Sequence, residues 1–348
     1  MKKLGITLFL LLLIAGGAGW YVWNGIQPVE GGGQPVEFTI EPGTGTSRIA
    51  ELLEENGLIK NDLLFKGYLR LNEEGSRFMA GTYEASPGTT YQELITMLNN
   101  GEVKPKEMVK FTIPEGYTVR QTAQTIAEAT GLEEQELLEL MDSVNGWDSS
   151  LVEGIPAEAE LRHQLEGYLF PATYELPKEG LTALSVIQGM LSQTEKRLED
   201  IPNWESLLEE KGLSIHELLT IASLVEREVV ADQERALVAG VIYNRLEQGM
   251  KLEIDATVQY LLDKPKARLL FKDLEVESPY NTYRNPGLPP GPISSPSLAS
   301  IEAVLKPEAS EYLFYVTKKD GTQEHLFAKT YQEHLKNIEI SNNMAQGQ

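Results

Sequence analysis

At 348 residues, with 41% hydrophobic and 24% charged side chains, the chain has the composition of a folded protein and the length for two or three compact units. Lys and Arg total 30 against 52 for Asp and Glu, and the formal net charge of -22 argues against nucleic acid as a partner. The absence of cysteine removes disulfides, thiolate metal sites, cysteine nucleophiles and a lipidated N-terminal cysteine together, and His163, His216, His325 and His334 are not at metal-ligand spacing.

Lys2 and Lys3 precede an uncharged run from Leu4 to Trp23, dense in Leu and Ile at first and closing on Trp20, Tyr21 and Trp23. About twenty helical residues cross roughly 30 Å, the thickness of a bilayer's hydrocarbon core, and aromatic side chains suit its boundary. Residues 1–23 are therefore expected to be a cytoplasmic start and a single-pass anchor in the cytoplasmic membrane, with the N-terminus inside and the remainder outside. A cleaved signal peptide competes, because Ala15 to Gly19 is rich in small residues. Residues 24–36, with Gly31-Gly32-Gly33-Gln34-Pro35, lack hydrophobic periodicity and read as a flexible linker.

A repeat comes next. Phe38-Thr39-Ile40-Glu41-Pro42-Gly43 precedes a helical stretch, Ser47 to Glu55, with Ile49, Leu52 and Leu53 on one face. Farther on, Phe111-Thr112-Ile113-Pro114-Glu115-Gly116 precedes Val119 to Ala129, with Ala123, Ile126 and Ala127 on one face. A looser copy lies between them: Tyr83, then Pro87-Gly88-Thr89-Thr90, then a helix with Leu94, Ile95 and Leu98 ending at Asn99-Asn100-Gly101. Each copy reads as strand, Pro/Gly turn, polar cap and amphipathic helix. The pattern, clearest from Phe111 to Leu132, resembles LysM modules, which are small cell-wall sugar-binding domains. Residues 37–144 are thus expected to form a LysM-like α+β region, which either binds glycan or only positions the rest of the chain.

The character changes near Asn145. Glu166-Gly167-Tyr168-Leu169-Phe170-Pro171-Ala172-Thr173-Tyr174 is aromatic-rich and broken by Gly and Pro, so it cannot be helical throughout. Periodicity predicts helices at Leu184–Leu198, Ser214–Val230 and Glu234–Gln248, then a Pro-dense stretch from Ser278 to Pro296 and a short helix near Leu298–Leu305. Tyr312 to Val316 and His325 to Phe327 flank Lys319-Asp320-Gly321, a hairpin signal. Residues 145–340 are expected to be the catalytic domain, and residues 341–348 a frayed polar tail. The overall expectation is an α+β protein behind an N-terminal transmembrane helix.

The helix from Ser214 carries capping-box spacing to Glu217 and is apolar around most of its circumference, yet Glu226 and Glu228 interrupt it. A carboxyl held among apolar side chains is pushed toward its neutral form, as a general acid requires. Periodicity does not choose between the two, and either could instead pair with Arg227, Arg235 or Arg245 as a structural ion pair.

The segments Ala222–Val230, Val241–Tyr260 and Ser278–Ser297, together with Glu166–Tyr174 and the closing strands with His325 and Phe327, resemble the MltG (YceG-like) endolytic murein transglycosylases. The resemblance runs through essentially the whole chain. It implies a lyase that cuts nascent peptidoglycan, needs no cofactor, works close to the membrane and has penicillin-binding synthases as partners. It also implies that Glu226 is the catalytic acid, donating a proton to the glycosidic oxygen and then accepting one from the C6 hydroxyl of the muramic sugar. Asn244, Asp255, Thr257, Tyr260, Tyr280, Asn281, Thr282 and Tyr283 are of the types that line sugar clefts, the alternative being a rigid loop fixed by its prolines. Glu166 either approaches Glu226 or makes a buried structural hydrogen bond. Asp255 either orients substrate or caps a helix beginning at Ala256. Two rivals stay open: a muramidase, with Glu228, Asp255 or Glu166 as second carboxylate, and a non-catalytic wall-binding scaffold.

Overall fold

The computed structural model describes residues 2–105, 107–157, 160–262, 266 and 268–346, the side chains of residues 2–8, 10, 11 and 346 excepted. Its compact units are Met1–Lys106 and Glu107–Gln348.

The first unit contains α1 (Lys2–Gly25), β1 (Val36–Ile40), α2 (Thr46–Glu55), α3 (Asp62–Leu71), β2 (Gly81–Ala85) and α4 (Tyr91–Asn100). Alternation along β1 buries Phe38 and Ile40 and exposes Glu37 and Thr39. In α4 the Thr90 and Glu93 pair forms a capping box, and the helix stops at Gly101, whose φ of 63° suits a residue without Cβ. Among the described residues no helix is long and apolar enough to cross a membrane. Most of the apolar start of the expected span, Leu4 to Leu11, has side chains outside those described.

The second unit begins with β3 (Met108–Thr112), α5 (Val119–Thr130), α6 (Glu134–Met141), α7 (Ser150–Glu153), β4 (Thr173–Pro177) and α8 (Ala183–Glu199). This is the first unit's plan again, and the correspondence extends to atoms. Phe38 faces Tyr83 across β1 and β2, and Phe111 faces Tyr174 across β3 and β4, both pairs antiparallel. The rings stack at 5.7 Å and 5.4 Å respectively, each at an interplanar angle of 22°. Tyr83 donates to the Met79 carbonyl at 2.7 Å, and Tyr174 to the Phe170 carbonyl at 2.6 Å, four residues back in both cases. The hydroxyls of Thr39 and Thr82 meet at 3.0 Å, those of Thr112 and Thr173 at 2.8 Å.

The second repeat therefore pairs its opening strand with Thr173–Pro177, beyond the expected 144/145 boundary. The compact units divide at 106/107, and the Phe111 copy lies in the same unit as the chain that follows it.

The chain continues through α9 (Trp204–Lys211), α10 (Ile215–Glu228), α11 (Arg235–Glu247), α12 (Asp255–Leu261), α13 (Leu298–Leu305), β5 (Phe314–Thr317), β6 (His325–Ala328) and α14 (Tyr331–Gln346). The result is a mixed α+β chain whose described strands form three two-stranded sheets. Helix α10 is the centre of the second core: Leu218, Leu219, Ile221, Ala222, Leu224 and Val225 are 0% exposed, each larger side chain contributing roughly 1.5–3 kcal/mol. The Pro-dense loop is fastened to it. His216 hydrogen-bonds Tyr168 Oη at 2.8 Å through Nδ1 and the Pro290 carbonyl at 2.7 Å through Nε2, and Ser223 Oγ accepts from Ile293 N at 3.0 Å.

The C-terminus is more ordered than its polar composition suggests. Helix α14 reaches Gln346, because Ser341 is buried and its hydroxyl donates to the Thr317 carbonyl of β5 at 2.8 Å. Residues 347 and 348 of the expected tail lie outside the described residues.

Candidate active site

Ser214 and Glu217 form the expected capping box and start α10, and the helix ends three turns later with Glu226 and Glu228 in its last turn. Glu226 Oε2 accepts from Ser297 N at 2.9 Å, Ser297 Oγ at 2.5 Å, Ser300 Oγ at 2.7 Å and Arg235 Nη1 at 3.3 Å. Ser297 is the N-cap of α13. One carboxylate oxygen thus meets the partial positive charge of a helix start, two hydroxyls and a guanidinium. The apolar surroundings expected from helix periodicity are replaced by polar ones, because α13 and Arg235 of α11 reach the one stretch of α10 that its own neighbours leave open.

The other oxygen differs. Among the described residues Oε1 has no hydrogen-bond partner, yet it is not one of the buried polar atoms without one. The side chain as a whole is 7% exposed.

One wall beside Glu226 comes from the second repeat. At the Pro114-Glu115-Gly116 turn, Gly116 adopts φ 73°, and a Cβ there would lie 3.6 Å from Arg227 Cδ and 3.9 Å from Glu226 Cγ. Gly116 N donates to the Ser295 carbonyl at 2.9 Å, Ser295 N to the Tyr117 carbonyl at 2.8 Å, and Arg227 Nη1 to the Gly116 carbonyl at 3.2 Å. Partial burial, followed by the charge of Glu226, raises the Glu115 carboxyl above its ordinary value, with Arg235 opposing. Sequence reasoning took this turn as part of a module and missed Glu115. An acidic residue inside a Pro/Gly turn was its only local signal.

Glu228 faces elsewhere. Its Oε2 accepts from Tyr315 Oη at 3.0 Å, in a cavity of about 520 Å³ that Asp255 and Tyr283 also line. Burial pushes its carboxyl up to about 7, with the Tyr315 hydrogen bond opposing. It pairs with a tyrosine and not with one of the arginines considered from sequence, whereas Glu226 does take Arg235. Asp255 is the first residue of α12, whose N-cap is Ile254 without a side-chain cap bond. The expected cap on a helix from Ala256 is thus absent, because Asp255 Oδ1 accepts from Tyr283 Oη at 2.6 Å.

The remaining expected cleft residues are mostly internal. Glu166 is 1% exposed; its Oε1 accepts from Val119 N at 2.9 Å, at the start of α5, and its Oε2 accepts from Tyr260 Oη at 3.1 Å. Burial pushes its carboxyl up to about 8. The structural alternative therefore describes Glu166, which shares no hydrogen bond with Glu226. Asn244 spends its amide on the Ser310 and Tyr312 carbonyls, both at 2.9 Å. Asn281 donates to the carbonyls of Leu274 at 2.9 Å and Val276 at 2.8 Å. The Thr257 and Thr282 hydroxyls meet at 3.0 Å, both residues being buried, and Tyr280 is 2% exposed with its ring 5.2 Å from that of Tyr260. Buried polar groups must find partners, and here the partners are the protein's own. Of the expected set, Tyr260 lines one cavity and Asp255 with Tyr283 another; Glu226 lines neither. Among the described residues no group of three or more His, Asp or Glu could hold a metal ion.

A family model, the YceG-like family, matches residues 38–340. A Bacillus subtilis (strain 168) protein named endolytic murein transglycosylase is 35% identical over 331 residues, covering 93% of this chain and 90% of that protein. A protein of the same name from Streptococcus pneumoniae (strain D39) is 34% identical over 359 residues, 96% of this chain but only 64% of that longer protein. A crystal structure of a YceG-like protein from Listeria monocytogenes aligns with a TM-score of 0.60 at 34% identity, covering 87% of this chain and 98% of that one. With one family's features running from residue 38 to residue 340, this chain belongs to the YceG-like family.

Proposed function

We propose that this chain is an endolytic lytic transglycosylase that cuts the MurNAc-GlcNAc bond of peptidoglycan and leaves 1,6-anhydro-MurNAc ends, with Glu226 as acid and then base. The names of the Bacillus and pneumococcal relatives supply the substrate and the reaction class. The observation that carries the assignment of the acid is the asymmetry of the Glu226 carboxyl, one oxygen held by four donors and the other without a hydrogen-bond partner among the described residues.

A carboxyl anchored in this way cannot rotate away from substrate, and its free oxygen is the atom that moves the proton. Protonated Glu226 Oε1 gives its proton to the bridging oxygen as the C1–O bond of MurNAc breaks, and GlcNAc leaves with a hydroxyl. The same oxygen, now an anion, takes the proton from the C6 hydroxyl of that MurNAc while O6 bonds to C1. The ring closes, Glu226 ends as it began, and no water is consumed. An intramolecular hydroxyl replaces the second carboxylate that hydrolases require.

The N-terminal segment serves as a cytoplasmic-membrane anchor in this reading, supported by Leu4–Trp23 and the flanking lysines. A LysM-like glycan-holding role suits the two repeated α+β units, and synthases that make nascent strands are the fitting partners.

Glu226→Gln in the full chain should lower turnover about 100- to 10,000-fold, the usual worth of a general acid-base, with folding and glycan binding retained. Anhydro ends, read by mass spectrometry, are the expected product. Undiminished turnover in the variant would remove Glu226 from the reaction, and an inactive wild type would favour the scaffold. Glu115, a carboxyl beside Glu226, specifically favours a second reading, a muramidase in which Glu115 activates water. Reducing ends in place of anhydro ends would select it.

A further inference from the structure

Beside the proposed acid lies a cavity of about 270 Å³ to which α5, α10, α12 and the Arg162–His163 segment all contribute. Its charge is out of character. In a chain of net charge -22, it gathers Arg120, Arg162 and Arg227, and no Asp or Glu is among the described residues that line it.

The arginines form no ion pair at contact distance among the described residues, although Arg227 acts on Glu228 and Arg162 on Glu166 from farther away. Arg227 Nη1 donates to the Gly116 carbonyl at 3.2 Å, and Arg162 Nη1 donates to the Tyr260 carbonyl while its guanidinium lies 5.3 Å over the Tyr260 ring. Arg120 is exposed on the first turn of α5. The nearby acids are otherwise engaged: Asp142 takes His163 Nδ1 at 2.8 Å, and Glu166 sits beneath Tyr260 with burial holding its carboxyl at about 8, hence uncharged near neutrality. Guanidiniums lining a cavity without a protein anion form a receptor for a carboxylate, which a guanidinium fork can bind through two parallel bonds.

Resting on the function proposed above, the geometry points to the source of that carboxylate. The amino-sugar backbone of peptidoglycan is neutral once the lactyl group of MurNAc is amide-linked to its peptide, so the free carboxylates belong to the stem. The stem leaves from C3 of the sugar whose C1–O bond is cut. Arg227 follows Glu226 on α10 and meets the Gly116 turn that packs on Glu226 Cγ, so the cavity lies where that stem would emerge. We propose that Arg120, Arg162 and Arg227 form a subsite for a carboxylate of the peptide stem, so that the enzyme selects strands bearing stems with free carboxylates.

Binding to the full-length Glu226→Gln protein, measured by calorimetry, tests this without depending on turnover. The probes are a tetrasaccharide carrying pentapeptide stems, the same compound with its stem carboxylates converted to amides, and an amidase-stripped tetrasaccharide that keeps only the lactyl carboxylate. Amidation should weaken binding tenfold or more. Adding Arg120→Gln, an exposed change that spares the core, should weaken the native probe by a similar factor and abolish the effect of amidation; Arg120→Glu should weaken it further. Equal affinity for native and amidated probes, or full sensitivity to amidation in Arg120→Gln, would overturn the subsite. Tight binding of the stripped probe, equal to the native one, would assign the cavity to the lactyl group and overturn the stem. Product analysis of the wild type separately decides the lytic reaction, so the two ideas fail in different assays.

Discussion

Glu166→Gln separates a buried scaffold carboxyl from a substrate ligand. The unfolded side chain titrates near 4.5, whereas burial pushes the folded one up to about 8. Between those values the folded chain holds a proton that the unfolded chain has released, so stability falls as pH rises through the window. The whole rise corresponds to on the order of 5 kcal/mol, present below the unfolded value and lost above the folded one. Glutamine cannot titrate, and its Oε1 can still accept from Val119 N while the Tyr260 hydroxyl turns to accept from the amide. At pH 5 wild type and variant should therefore agree within about 1 kcal/mol, the scale of one neutral hydrogen bond. At pH 9 the variant should be the more stable by several kcal/mol, on the order of the linkage energy. Urea unfolding of the full chain at pH 5, 7 and 9, followed by the fluorescence of Trp147 and Trp204 in the second unit, measures the difference. A difference that stays constant with pH would refute the argument. So would a large rise in KM without a change in the pH dependence of stability, because that is the signature of a carboxylate that binds substrate.

The remaining predictions concern Glu226 and the groups around it. Gly116→Ala should cost about 1–2 kcal/mol in urea unfolding, because the left-handed φ of 73° and not lack of space is the obstacle; unchanged stability would mean that the turn relaxes freely. Ser300→Ala removes one of the donors to Glu226 Oε2 and should lower kcat about tenfold with little change in KM, a hydrogen bond to a charged group being worth about 1.5 kcal/mol or more. Ser297→Ala should do the same and in addition lose about 1 kcal/mol of stability as an N-cap, read in the same unfolding assay. A fall in affinity at constant kcat in either serine variant would show that these hydroxyls bind substrate and do not hold the acid. The loss of turnover in Glu226→Gln remains the reference against which both are judged.

Much of this fold was legible because it is local. The capping box at Ser214, the stop at Gly101 and the Asp-Gly hairpin between β5 and β6 each depend on residues a few positions apart. The repeat was legible for the same reason, and its last part was within reach: Thr82-Tyr83-Glu84 recurs as Thr173-Tyr174-Glu175, marking β4 as the counterpart of β2. The partners of Asn244, Asn281 and Glu166 were not legible. A side chain's type states how many hydrogen bonds it can make, and only the folded chain states with what.

Glu226 and Glu228 carry the clearest case. Helix periodicity placed both in the last turn of α10 and stopped there, and family resemblance, not physics, preferred Glu226. The distinction is made by residues far along the chain: Ser297 and Ser300, 71 and 74 positions away, bind one carboxyl, and Tyr315, 87 positions away, takes the other. Gly116, 111 positions from Arg227, supplies a wall that no local pattern announces. From sequence alone came several helices, α10 and α11 among them, the closing strands, a repeated strand-turn-helix pattern and the pair of candidate carboxyls, all consequences of short-range geometry and hydrophobic period. Tertiary structure decided which carboxyl meets a helix start, two serines and an arginine and which a single tyrosine, and where the arginines gather, because electrostatic surroundings belong to space and not to chain order.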